Sequence, residues 1–359
     1  MNATDAPYRF LAFDASYFSS KVRPALRYKQ LWYRELRADI QEIQRRTGLH
    51  YIPILITPED ETWQDSSDIL DRLEARHPDP PLIPRTPVQS IVAHLVELYV
   101  DEFGLIPAMH YRWGSELGEA SARARFAAMI GDVALGNMAA DRMVIAREMV
   151  GASAAAAEPI EAHTRELLDA LSTHFDAHPF LLGGRMSLAD TALMGPLYAH
   201  LFVDLVSRRL LLETAVPVVG WIERCSSPDA DAQTAWFEDG ALAPTLRELL
   251  GVMGRAAAPL IVSIAECVEA YADGRSARDE EVPRFVGACQ STLRGATIER
   301  GASVHTLWML QRTLDLYTGL DAAERGRVDS ALAGTGWAAV LAYAPRHRLA
   351  KRGFELVFD

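Results

Sequence analysis

The sequence predicts an α/β domain, then an all-α domain, then a mostly helical extension. Over the first ninety residues the hydrophobic period changes several times, which is typical of alternating strands and helices. After a proline-rich linker at 79–87, apolar residues recur at three- and four-residue steps, as they do along amphipathic helices. A length of 359 residues allows two or three domains. We therefore expect domains at 1–80, 87–235 and 240–359.

Local patterns define the elements of the first domain. Residues 8–13 form an apolar run of strand length, and 19–31 place their apolar side chains on one side of a helix. Thr47-Gly48 ends a polar second helix, and an isoleucine-rich strand follows it. The predicted order is β-α-β-α-β-β-α, with elements at 8–13, 19–31, 32–36, 39–46, 51–57, 62–64 and 66–76.

Helices dominate the rest of the chain. They are predicted at 88–103, 160–175 and 187–205, and in the extension near 241–272, 306–317 and 322–333. Arg294-Gly295 predicts the turn of a hairpin. Ile261, Ile264 and Val268 share one helix face in the extension, so that face must pack on the helical domain or on a second subunit.

Composition and motif content argue against several classes of function. The net charge of -12 opposes binding to nucleic acid or to an anionic membrane. The N-terminus lacks a secretion signal, and no charge-free stretch is long enough to cross a bilayer. Cys225, Cys267 and Cys289 are odd in number and widely spaced, which fits neither a disulfide framework nor a CxxC site. We expect a cytoplasmic protein with no metal site, since HExxH and phosphate-loop motifs are also absent from the sequence.

Three short motifs begin elements of the first domain. Ser16 stands five residues before Lys21-Val22-Arg23, near the start of the first predicted helix. Ile52-Pro53 opens the third strand, and Asp65-Ser66 opens the third helix. Serine and aspartate are common helix N-caps, so on the residues alone a purely structural role remains open for both positions.

Together these motifs resemble the glutathione transferase superfamily, in its cytosolic type with a serine-type active-site segment. The resemblance covers about 8–229 and includes a capping box at 183–190. It implies a thioredoxin-like N-terminal domain that binds glutathione. It also implies an all-α glutathione-transferase-like domain that lines the electrophile pocket, and it leaves the helical extension outside the family unit.

The resemblance also implies a role for each motif in binding glutathione. Ile52 offers its backbone to the peptide part of glutathione, next to a cis bond at Pro53. Asp65 and Ser66 receive the γ-glutamyl end of glutathione. The Asp65 carboxylate meets the ammonium of glutathione, and the helix N-terminus at Ser66 meets the carboxylate of glutathione.

The resemblance assigns the catalytic position to Ser16, with Tyr17 and Ser19 as alternates. A thiol with a pKa near ~8.5 is only a few per cent thiolate at neutral pH. A hydroxyl hydrogen bond and a helix dipole can lower that pKa by ~2 units, which takes about 2.7 kcal/mol. Weaker candidates for the electrophile pocket are Tyr17, His110, Tyr111 and Trp113, although a histidine beside aromatic residues is more often a packing residue.

The function expected from the resemblance is a glutathione-dependent transferase that uses glutathione as co-substrate. Its reaction with a small hydrophobic electrophile would be conjugation, ether cleavage, dehalogenation or isomerisation, of the kind used in detoxification, and the protein would be a homodimer. The alternative is a non-catalytic glutathione-transferase-like protein for partner binding or scaffolding. Thiol-disulfide reduction is disfavoured, because no cysteine lies in the active-site segment.

Overall fold

The computed structural model describes residues 6–275 and 282–359 and begins with a four-stranded sheet flanked by helices. Its elements are β1 (Tyr8–Ala12), α1 (Tyr17–Tyr28), β2 (Tyr33–Arg37), α2 (Ile40–Thr47), β3 (Ile54–Ile56), β4 (Thr62–Gln64) and α3 (Ser66–Arg76). The strand order is β2-β1-β3-β4, with β1 and β2 parallel and the other pairs antiparallel. The predicted thioredoxin-like N-terminal fold is therefore confirmed.

Five of the seven elements have boundaries that differ from the prediction, and for α1 and β3 the difference has a local reason. β3 is shorter than 51–57 and begins only after Pro53, which has no N–H to give to a strand ladder. α1 starts earlier than residue 19 because Ser16, with φ -84° and ψ 128°, is its N-cap. These shifts place both motifs at the ends of elements.

The second region is helical, as predicted. It contains α4 (Pro87–Tyr99), α5 (Leu105–Trp113), α6 (Glu116–Ile130), α7 (Val133–Met149), α8 (Ala157–Ala177), α9 (Leu188–Pro196), α10 (Leu205–Thr214) and α11 (Val216–Ser226). Val100–Gly104 joins α4 to α5 as a π-helical turn, and Leu197–Phe202 is a second such turn after α9. The capping box before α9 is present, formed by Ser187 and Asp190.

The extension mixes helices and two hairpins. It contains α12 (Pro244–Asp273), β5 (Phe285–Leu293), β6 (Ala296–Ser303), α13 (Val304–Gly319), α14 (Ala322–Leu332), α15 (Ala338–Leu341), β7 (Leu349–Arg352) and β8 (Glu355–Phe358). The hairpin turn predicted at Arg294-Gly295 is present, and both residues have positive φ, at 49° and 84°. The C-terminal hairpin β7–β8 was not predicted.

The extension shares its hydrophobic core with the helical region. Buried residues of α4, α8, α12 and α13 belong to one cluster, in which Ile261, Ile264 and Val268 are fully buried. Of the two predicted alternatives for this apolar face, the structure shows packing on the helical domain. Among the described residues α12 is the one helix long and apolar enough to cross a membrane, but 72% of its apolar window is buried inside the fold.

Candidate active site

Sheet register brings the three predicted motifs to one edge of the sheet. Leu11 pairs with Ile54, and Ile54 pairs with Gln64. The turn that follows β1, the residue that precedes β3 and the residue that follows β4 therefore lie side by side. These positions are the Ser16 turn, Pro53 and Asp65, which are far apart in the sequence.

Side chains fix the turn between β1 and α1. Each of its three carbonyl groups accepts a hydrogen bond from a side chain of α1 or α5. The pairs are Arg23 Nη2 to Phe13 (3.2 Å), Ser20 Oγ to Asp14 (3.1 Å) and Arg112 Nη1 to Ala15 (3.0 Å). Ser16 consequently starts α1 from a turn with little freedom, as a pre-organised catalytic position requires.

Ser16 is half-buried, and its hydroxyl caps α1. Its Oγ accepts a hydrogen bond from the backbone N–H of Ser19 at 3.3 Å. The cap uses an oxygen lone pair, so the hydroxyl hydrogen remains available to a sulfur atom. The positive end of the helix dipole lies at the same place. Capping and thiol activation are thus compatible at this serine.

The two alternates for the catalytic hydroxyl face the interior. The Tyr17 hydroxyl donates to the carbonyl of Val100 at 2.8 Å, and burial raises the pKa of Tyr17 well above its ordinary value. Ser19 is fully buried. Both hydroxyl groups are therefore badly placed for a ligand at the sheet edge, and the same packing removes Tyr17 from the expected electrophile pocket.

The Ile52-Pro53 bond is cis, as expected. The backbone before it is held by Gln64, whose Nε2 donates to the carbonyl of Tyr51 at 2.8 Å. The guanidinium of Arg284, from the extension, lies 4.6 Å from the centre of the exposed Tyr51 ring. The extension therefore reaches the rim of the candidate site.

Asp65 has an unusual backbone conformation for a residue with a side chain. Its φ is 79°, and its Oδ1 caps α3 by accepting from the N–H groups of Ser67 (2.9 Å) and Asp68 (3.2 Å). Strained non-glycine positions of this kind concentrate at functional sites. Ser66 follows as the first residue of α3 and is buried.

His305, at the start of α13, contacts the other oxygen of Asp65. Its Nε2 lies 2.9 Å from Asp65 Oδ2, and its Nδ1 lies 3.2 Å from Glu102 Oε1. Burial lowers the pKa of His305, but the two carboxylates outweigh it and raise that pKa to about 9. Burial raises the pKa of Asp65, but His305 and Lys351 hold it well below its usual range. The sequence prediction missed this contact.

Acidic residues recur every third position along α3 and form an acidic row, defined as Asp65, Asp68 and Asp71. Each meets a basic side chain of the extension. The pairs are Asp65 with His305 (2.9 Å), Asp68 with Lys351 (3.9 Å) and Asp71 with Arg312 (Oδ1 to Nη2, 3.1 Å). This spacing was the one sign in the sequence that α3 binds a charged partner.

A buried lysine joins the N-terminal domain to the helical domain. Lys21 Nζ lies 2.6 Å from Asp101 Oδ2, 2.8 Å from Glu97 Oε1 and 2.8 Å from the Ser67 hydroxyl. Burial raises the pKa of Asp101 to about 6, although Lys21 opposes the shift. This Lys21 cluster fixes α1 and α3 against the π-helical turn.

The remaining pocket candidates do not face Ser16. Arg112 contacts the turn before Ser16, so His110, two positions earlier and therefore about 200° around the helix, points the other way. His110 Nε2 meets Glu161 of α8 at 3.3 Å. Trp113 is buried against Phe126. Tyr111 is mostly buried beside α8, and the assignment of His110, Tyr111 and Trp113 to an electrophile pocket stays a prediction.

The best-formed cavities lie away from the predicted site. One of about 260 Å³ adjoins β1 and β2, and another of about 400 Å³ adjoins the C-terminal end of α3. Neither is lined by Ser16, Pro53, Asp65 or Ser66. Within 6–275 and 282–359, no group of three or more histidine, cysteine, aspartate or glutamate side chains is arranged to hold a metal ion.

A family model described as "Glutathione S-transferase, N-terminal domain" matches residues 10–81. Residues 10–81 are therefore similar to the N-terminal domain of glutathione S-transferases. The match begins inside β1 and ends shortly after α3, so it covers most of the sheet and all three motifs of the candidate site. A search of curated protein sequences found no match.

Three solved structures that resemble this chain at low identity are a glutathione S-transferase, a β-etherase and FzlA. A glutathione S-transferase from Rhodospirillum rubrum F11 is 18% identical, with 68% of this chain and 91% of that one covered and a TM-score of 0.42. The β-etherase LigF from Sphingobium sp. strain SYK-6 is 14% identical, with 68% and 98% covered and a TM-score of 0.42. FzlA from C. crescentus is 19% identical, with 68% and 99% covered and a TM-score of 0.42.

Proposed function

We propose that the protein is a glutathione-dependent transferase in which Ser16 activates the glutathione thiol for attack on a hydrophobic electrophile. The observation that carries this proposal is the placement of Ser16 at the sheet edge shared with the cis-Pro53 bond and Asp65-Ser66. A half-exposed hydroxyl at a helix N-terminus beside this backbone is suited to hold a thiolate.

Ser16 would donate its hydroxyl hydrogen to the sulfur while the α1 N-terminus contributes the dipole field. A charge-assisted hydrogen bond together with the dipole can supply the about 2.7 kcal/mol that lowers a thiol pKa by ~2 units. The thiol proton leaves to solvent, and the sulfur lone pair forms the new bond to carbon. In ether cleavage and dehalogenation the carbon–oxygen or carbon–halogen bond breaks, and the alkoxide or halide leaves with its electron pair. In conjugation by addition the double-bond electrons move to the neighbouring carbon, which takes a proton from solvent, and in isomerisation the sulfur later leaves again.

The proposal extends to the setting of the enzyme. We propose a cytoplasmic homodimer with glutathione as co-substrate, a small hydrophobic electrophile as second substrate, a role in detoxification, and neither nucleic acid nor membrane as partner. The domain limits 1–80, 87–235 and 240–359 belong to the same proposal. Light scattering of the purified chain measures the oligomeric state directly.

Isothermal titration with glutathione tests the proposal in the wild type and in Ser16→Ala and Ser66→Ala. We expect Ser66→Ala to weaken binding, and Ser16→Ala to retain binding but lose the thiolate absorbance of the complex. Ser115→Ala is the matched control, because Ser115 also caps a helix (Oγ to Gly118 N, 3.2 Å) but begins α6. The proposal fails if the wild type releases no heat with millimolar glutathione.

A non-catalytic, partner-binding protein is the second candidate. The contact of His305 with Asp65 favours it, because a side chain of the extension already binds the residue assigned to the γ-glutamyl ammonium. Under this alternative, glutathione binds neither the wild type nor a variant without His305. Binding by the wild type argues for the transferase, whereas binding only by the variant without His305 argues that the extension blocks the site.

A further inference from the structure

The extension places a cation where the resemblance implies that a ligand's cation binds. His305 presents Nε2 to Asp65 at 2.9 Å and Nδ1 to Glu102 at 3.2 Å. An ionised carboxylate only accepts hydrogen bonds, so both ring nitrogens must carry hydrogen and the ring is an imidazolium. Its charge equals that of the α-ammonium of glutathione.

Both oxygens of Asp65 already accept hydrogen bonds. Oδ1 accepts from the N–H groups of Ser67 and Asp68, and Oδ2 accepts from His305. The ammonium of Lys351 lies 3.9 Å from Oδ2. An incoming ammonium would therefore compete with His305 for Oδ2 and meet two positive charges.

His305 is itself held in place from its far side. Glu102 is buried, and it accepts hydrogen bonds from Arg300 Nη2 at 3.3 Å and from the hydroxyl of Thr306. The acidic row of α3 anchors α13 and the C-terminal hairpin through the other two pairs. The imidazolium is thus part of a fixed network, and a ligand must break that network to displace it.

We propose that His305 is a specificity-determining residue that occupies the ammonium position of the γ-glutamyl subsite. The wild-type site then draws no binding energy from a thiol's ammonium, and it accepts an N-acylated thiol peptide as well as glutathione. This inference rests on the proposed function, since it concerns the same glutathione site.

Calorimetry with two ligands and four proteins tests the inference. The ligands are glutathione and N-acetylglutathione, which differ in the ammonium. The proteins are the wild type, His305→Ala, His305→Gln and the control His347→Ala. His347 is matched because it also belongs to the extension and pairs with a carboxylate, Asp273, at 2.7 Å.

We expect the wild type and His347→Ala to bind both thiols within about threefold of each other. In His305→Ala, Asp65 becomes free to bind the ammonium of glutathione. The affinity for glutathione should therefore rise about tenfold or more, which is the size of a charge-assisted hydrogen bond. The affinity for N-acetylglutathione should change little, because that ligand has no ammonium. His305→Gln keeps a hydrogen-bond donor near Asp65 but removes the charge. It should raise the affinity for glutathione as well, but by a smaller factor. If His305→Ala folds poorly, the His305→Gln comparison decides the outcome.

Two results would overturn the inference while leaving the transferase proposal intact. One is glutathione affinity that stays within twofold in both His305 variants. The other is a wild type that binds glutathione about tenfold tighter than N-acetylglutathione, since its site would then use the ammonium. Absence of glutathione binding by the wild type refutes the transferase proposal, and the inference falls with it.

Discussion

Replacing Lys21 by methionine should destabilise the protein strongly. Lys21 is fully buried, and its ammonium contacts the carboxylates of Asp101 and Glu97 and the hydroxyl of Ser67. Methionine fills similar volume but leaves the buried Asp101 carboxylate without its ion-pair partner and leaves Glu97 with Arg312 alone, at 3.5 Å. Breaking a buried ion pair from one side costs about 3–5 kcal/mol, which is a large part of the stability of an ordinary domain.

Urea denaturation followed by tryptophan fluorescence measures this loss. A double variant, Lys21→Met with Asp101→Asn, removes one stranded charge and should recover part of the stability, so a double-mutant cycle separates the charge effect from packing. Arg209→Met is the control: Arg209 forms an exposed pair with Glu213, and its loss should leave the midpoint unchanged. A loss below about 1 kcal/mol for Lys21→Met would refute the account of the Lys21 cluster.

Two further predictions concern the extension. The pKa of His305 is raised to about 9, so its contribution to stability is complete below the unfolded pKa of ~6.5 and is lost as the pH rises through 9. The difference in unfolding free energy between wild type and His305→Gln should therefore be about 1–3 kcal/mol near neutral pH and should disappear above pH 9. A difference that does not change with pH would contradict this. Gly254→Ala should lower the melting temperature, because a Cβ there overlaps the backbone carbonyl of Thr335, whereas Gly326→Ala, which has open space, should not.

Much of the fold follows from local sequence patterns, because strands, helices and caps depend on near neighbours. The limits of β4 and α3 agree with the prediction, and the turn at Arg294-Gly295 is where the pattern predicts it. The predicted pattern at 88–103 continues through the π-helical turn into α5, a continuation that helical periodicity does not reveal. The strands of the β7–β8 hairpin are only four residues long, and β7 ends in two basic residues, so they lack a strong strand pattern.

The candidate site also contains residues that the sequence could predict and residues that it could not. Ser16, Pro53 and Asp65 lie at the ends of elements in a known order, so their motifs could be found one at a time. The partner of Asp65 could not, because His305 follows it by 240 positions and only the packing of the extension brings the two together. The direction of His110 could not be predicted either, since spacing alone does not tell which side of a helix faces the turn.

The shared core has a practical consequence for anyone who wishes to shorten the protein. A chain cut near residue 240 would keep the whole family unit but would uncover the apolar faces of α4 and α8 that α12 and α13 now bury. Exposed apolar area of that extent promotes aggregation. The 240–359 section is therefore an integral part of the folding unit, and experiments on the candidate site belong on a chain that includes it.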